Sequence, residues 1–209
     1  MSKTIHKLYP DYPTAQTAAR ELEAAGLKRG DISLVANNAE RWDGADRFKH
    51  VEAAHDRDYD GVDDRAKGAS VGAGVGGVAV GAAGLAAGLG VLAIPGIGPI
   101  VAAGWLASTL AGAISGGVAG GIVGALAESG VSKSDADVYA EALRRGGALV
   151  VARVPDADAV RYQTILTRQS VDVIKRASAY RKAGWSSFDP DETPYSLDQI
   201  HQDRELYRE

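Results

Sequence analysis

The chain contains no cysteine, which excludes disulfides, thiol catalysis and thiolate metal sites together and fits a reducing compartment. Histidine is scarce as well, with four in 209 residues. His50 and His55 are five apart, a poor match to the i, i+4 pair that metal-binding helices use, while His6 and His201 stand alone. No metal, cofactor or Ser-His-Asp constellation is expected from so scattered a set. The formal charge of −4 gives no general attraction to nucleic acid or anionic lipid. The start, MSKTIHKLYPDYPT, lacks the basic-then-apolar pattern of a secretory signal, so the N-terminal part is expected to stay cytosolic. The largest absence is local: between Lys67 and Glu128 there is no ionisable side chain.

That stretch, residues 68–127, is rich in glycine and alanine, and so much apolar surface has to be buried somewhere. Ile94-Pro95-Gly96-Ile97-Gly98-Pro99 breaks it in the middle, because proline removes a donor and glycine supplies turn conformations. Read as helices, each arm exceeds the roughly 30 Å of a bilayer core. Gly72, Gly76, Gly84 and Gly88 share a four-residue register in the first arm, and Gly104, Ser108, Gly112, Gly116, Gly120 and Gly124 share one in the second. Residues four apart lie on one helix face, so each arm carries a groove for close backbone approach. The expectation is a helical hairpin turning at Pro95, Gly96, Gly98 and Pro99, packed through its glycines. Length and lack of charge favour lipid around it, whereas the shortage of Leu, Ile, Val and Phe favours a soluble bundle of sister chains.

The flanks predict a small sheet domain. Residues 3–8 alternate like a strand, Thr14 is positioned to cap a helix ending at Gly26, and ISLVA (32–36) reads as a second strand. After a polar, acidic connector (37–67) and the insert, Ser134 is placed to cap a helix over 135–145 that Gly146-Gly147 ends. ALVVARV (148–154) is the clearest strand, Asp156 opens another helix, and VDVIK (171–175) reads as a fourth strand. With the insert removed, residues 1–36 and 131–175 give β-α-β-β-α-β, a ferredoxin-like α+β domain with two helices on one face of a four-stranded sheet. The remainder, 176–209, is a polar tail in which Ser196 to Gln199 offers a capping box.

The Ala15–Gly26 helix with DISLVAN, KGASVGAGVGG, LAIPGIGPIVAAGWLASTLAGA and ALRRGGALVVARV together resemble the bacterial general stress protein 17M-like family, with a glycine-zipper insert of the kind found in low-temperature-induced relatives. The resemblance covers about residues 3–175. It implies a stress-induced protein of a group without an assigned enzymatic activity, and carries over no catalytic residue. The functional expectation is therefore a non-enzymatic protein that associates with a bilayer or with itself, at the cytoplasmic face of the inner membrane or in the cytoplasm. The other reading is a soluble ligand-binding or sensory module.

Two further motifs are weak. Asp56-Arg57-Asp58-Tyr59-Asp60-Gly61 matches the first half of an EF-hand loop, but Lys67 stands where the bidentate carboxylate belongs. Gly72-Ala73-Gly74-Val75-Gly76-Gly77 fits GxGxxG, but follows an acidic connector and has no acid about 20 residues on. Nucleic acid is not expected as a partner, since the 148–154 strand lacks stacking aromatics.

Overall fold

The computed structural model describes residues 2–41, 89–115 and 121–207. These form a mixed α+β domain around a five-stranded antiparallel sheet. In chain order the elements are β1 (Ser2–Tyr9), α1 (Tyr12–Ala24), β2 (Ile32–Asn37), β3 (Leu89–Ile94), β4 (Gly98–Ala103), α2 (Trp105–Ser115) and α3 (Gly121–Glu128). There follow α4 (Lys133–Arg144), β5 (Ala148–Pro155), α5 (Ala159–Thr167), α6 (Val173–Lys182) and α7 (Leu197–Leu206). Neighbouring strands run β1-β5-β2-β4-β3. The first strand is thus tied to β5, with Ser2 opposite Pro155 and Tyr9 opposite Ala148.

β2 and β5 are apolar on both faces because both faces are covered. Ala148, Val150, Ala152 and Val154 point into a layer with Ile5, Leu22 of α1 and Leu166 of α5. Leu149 and Val151 point the other way, to a layer built with α2, α3, α4 and α6.

The helical-hairpin expectation is corrected for residues 89–103. They form a β-hairpin, registered from Leu89 opposite Ala103 to Ile94 opposite Gly98. The turn lies where the Pro-Gly break predicts it: Ile97 N–H donates to Ile94 O, with Pro95 and then Gly96 (φ +74°) at the two central positions. Proline followed by a residue of positive φ is the signature of a type II turn. The strand state prevails because β2 offers β4 an open ladder, from Leu34–Ala103 to Asn37–Ile100. Helical periodicity in a short apolar run does not outweigh that pairing. The first arm up to Gly88, with its glycine register and GxGxxG match, lies outside the described residues, as does the EF-hand-like match in the connector.

The fourth strand is also corrected. Val171 makes one bridge, its N–H donating to Leu8 O at 2.7 Å, and the chain then enters α6. Asp172 accepts from the N–H groups of Ile174 and Lys175, so an N-cap stands where a strand was expected. Three other caps move by a few residues: Asp11 rather than Thr14 caps α1, Ser132 rather than Ser134 caps α4, and α5 begins after a 3-10 turn at Asp156–Asp158. The predicted capping box of Ser196 and Gln199 is present in full at α7.

Most of the insert's described apolar side chains are buried in the chain's own core. Leu92, Ile94, Ile97, Ile100, Leu106, Leu110, Ile122 and Leu126 are all nearly inaccessible on the α2–α3 side of the sheet. At about 1.5–3 kcal/mol for each such side chain, this burial offsets much of the cost of ordering a glycine-rich segment. Among the described residues, no helix is long and apolar enough to cross a membrane.

Candidate functional site

The predicted glycine register divides when placed in the fold. Gly72, Gly76, Gly84, Gly88, Gly116 and Gly120 lie outside the described residues. Gly112 lies within α2. Gly104 is not helical: at φ +81° it turns the chain from β4 into α2, and a Cβ there would lie 2.2 Å from Ile32 O. Its role is close approach to β2, reinforced by Ser33 Oγ, which accepts from Leu106 N–H and caps α2 from the neighbouring strand. Ser108 is exposed, and its hydroxyl donates to Trp105 O. Gly124 has open space around the position of a Cβ. In the hairpin turn, Gly96 and Gly98 lie against the tail: a Cβ on Gly96 would meet Asp189 O and Pro190 Cα at 2.8 Å, and one on Gly98 would meet Pro194.

That tail builds the most developed polar site in the structure. α7 seats Ile200, fully buried, on Gly146, where even a β-carbon would come within 2.3 Å of Ile200 Cγ2. Around this plug runs a network of ion pairs. Glu141 of α4 is fully buried and accepts from Arg144 and Arg145. Arg144 reaches on to Glu192, and Arg145 donates to Asp203 of α7 at 2.6 Å. Arg204 holds Glu40 through both guanidinium nitrogens at 3.0 and 3.1 Å, and His201 lies 2.9 Å from the same carboxylate. Aromatic faces complete the shell, with the Arg145 guanidinium 4.4 Å from the Tyr180 ring centroid.

The protonation preferences follow from this packing. Burial alone would lower the Arg145 pKa, but Glu141 and Asp203 outweigh it and hold the guanidinium above its usual range. Burial raises Asp203, against the pull of Arg145, and it raises the Tyr180 phenol. Glu40 is pushed up by burial and pulled down further by hydrogen bonds from Arg204 and His201, so it stays below the usual glutamate value.

Between the network and the end of β1 lies a cavity of about 360 Å³. Arg145, Arg176, Arg204, Tyr207, Gln169 and Ser170 are among the residues lining it. Arg176 donates to Tyr207 O at 3.2 Å and forms no ion pair among the described residues. Arg204 Nε is closed off from solvent, with no hydrogen-bond partner among the described residues. Asp11 and Asp203 also line the cavity and Asp203 lies near both Arg145 and Arg176, so the wall's free donor capacity is that of the Arg176 guanidinium. It has no visible nucleophile–base pair, and among the described residues there is no group of three metal-capable side chains.

Reading the sequence missed this site. Arg144-Arg145 is visible only as a complement to a helix dipole, and their acid partners Glu192 and Asp203 lie 48 and 58 residues away. Ile200 standing inside a capped helix is the one signal that the tail docks. Comparison of the chain with protein-family models, curated proteins and solved structures finds no match.

Proposed function

We propose that this chain is a non-enzymatic binding module that takes up a small anion, a carboxylate or a phosphate, in the cavity between β1, α6 and α7. The observation that carries the reading is the Arg176 guanidinium, which forms no ion pair among the described residues, in a 360 Å³ cavity that Arg145 and Arg204 also line. A guanidinium there would form charge-assisted hydrogen bonds to a planar or tetrahedral oxyanion. Calorimetry with inorganic phosphate and with malonate tests it. Binding should weaken about 10- to 100-fold in Arg176→Gln, the loss of one charge-assisted contact. Absence of heat with both anions, or unchanged affinity in the variant, would overturn the proposal.

The finer fold reading, a ferredoxin-like domain carrying an insert, is supported by three features. β5 lies between β1 and β2, α1 and α5 share a face, and Val171 bridges to the far side of β1. In that reading β3, β4, α2 and α3 extend the sheet edge and cover the opposite face. The stress-response role draws on the sequence resemblance alone. A second function, self-association or lipid contact through the small-residue faces, is supported by the exposure of Ser108 and the open space at Gly124. Leucine at Gly112, Gly116 and Gly120 should then lower the assembly mass in native mass spectrometry.

A further inference from the structure

The β1 strand is paired along its whole length with β5, and on its other side it meets a single bridging residue among those described, Val171. Leu8 O accepts from Val171, so Leu8 directs its backbone groups outward. In an antiparallel ladder alternate residues share a direction, hence Ser2, Thr4 and His6 also present N–H and C=O to the open side. The chain that could have paired there turns into α6 instead, leaving a groove of about 510 Å³ along β1.

The groove walls have the character of a strand-binding site. Gln163 and Thr167 of α5 form one wall, and Asp172 and Ile174 at the start of α6 form the other. Ile174 is 82% exposed and lines the groove, while Val160, 78% exposed, stands beside Gln163 and Thr167. They are the two most exposed large apolar side chains among the described residues, and both flank this edge. Along β1, Ile5 and Tyr9 pack toward α5, so Lys3 and Lys7 project on that same side, flanking Ile5. Asp172 also faces the groove; its carboxylate accepts from two α6 amides and attracts Lys7, so a partner's acid opposite Lys7 has to displace that interaction.

We infer that β1 binds an extended partner peptide by strand addition, and that this peptide alternates acidic, apolar and acidic residues opposite Lys7, Ile5 and Lys3. Main-chain hydrogen bonds to Thr4 and His6 supply the docking, and the paired charges supply the choice of partner. A second copy is disfavoured in the register centred on Ile5, because Lys3 would face Lys7 at both ends.

The full chain is titrated with a fluorescent peptide, Glu-Thr-Val-Thr-Glu, which spans Lys7 to Lys3 and stops short of the position that Val171 holds opposite Leu8, and with its lysine-for-glutamate counterpart, by anisotropy. The acidic peptide should bind, and the Lys3→Glu/Lys7→Glu variant should lose about tenfold in affinity for it while gaining affinity for the basic one. N-methylation of the backbone amides that face Thr4 and His6 should abolish binding. The inference is overturned if neither peptide binds, if N-methylation has no effect, or if ultracentrifugation shows a dimer that the double variant alters, which would assign the edge to a second copy.

Discussion

Gly104 and Gly124 occupy the same four-residue register in the sequence, and they should respond to alanine with opposite signs. At Gly124 the helix α3 carries a residue that lacks a side chain, and among the described residues nothing within 4 Å would meet a Cβ. Alanine there should gain the difference in helix propensity, about 0.8–1 kcal/mol. At Gly104 the left-handed backbone alone costs alanine about 1–2 kcal/mol. The added Cβ would also sit 2.2 Å from Ile32 O and 2.6 Å from Ser33 Oγ, against a strand buried in the sheet. Overpacking of this kind adds about 1–3 kcal/mol, giving roughly 2–5 kcal/mol in all. For a domain of this size, 1 kcal/mol corresponds to about 2–4 °C in Tm. Gly124→Ala should therefore melt about 2–4 °C higher than the parent, and Gly104→Ala at least about 4 °C lower, in thermal denaturation followed by circular dichroism. Equal destabilisation of both would show that Gly124 is packed against another helix, and a neutral Gly104→Ala would refute the close approach to β2.

Glu141→Gln leaves the buried Arg144 and the mostly buried Arg145 short of countercharge, and should cost about 3 kcal/mol in urea denaturation. Ile200→Ala should remove about 2–5 kcal/mol of α7 docking, speeding hydrogen exchange at residues 197–206 by roughly 30-fold or more while β5 amides stay protected. Acid should loosen the same helix. The folded-state pKa of Glu40 lies below its unfolded value, so its contribution is complete above about pH 4.3 and is lost as pH falls through the folded value. Asp203, shifted the other way by burial, opposes this, so Glu40→Gln should exchange faster near pH 6 and lose the acid-induced acceleration contributed by Glu40.

The parts of the fold legible in the sequence are those fixed by local chemistry. ISLVAN and ALVVARV are continuous apolar runs because they are covered on both faces, and Ser196–Gln199 is a self-contained cap. The Pro95–Gly98 break is legible as a turn for the same reason. What it joins is not, since residues 89–103 become strands only through the ladder that β2 extends to β4. Val171–Lys175 fails similarly: Asp172 is a better cap than a strand residue, but its neighbours' β-branched side chains conceal that. The arginine-lined cavity lies furthest from local chemistry, because its walls come from β1, the end of α4, α6 and α7.

The position of β5 between β1 and β2 has a consequence for how the protein is made. β1 must await a partner that begins at Ala148, and β2, which can pair with β4 once Ala103 has been made, lacks its other neighbour until roughly 110 residues after Asn37. At about 5–20 residues per second, translation leaves β1, α1 and β2 without their central strand for roughly 6–20 s. During that interval Ile5, Leu34 and Val35 lack the β5 surface that covers them in the finished sheet. The β2–β4–β3 ladder can therefore form first on the ribosome, whereas β1 should dock only after residue 155 has emerged.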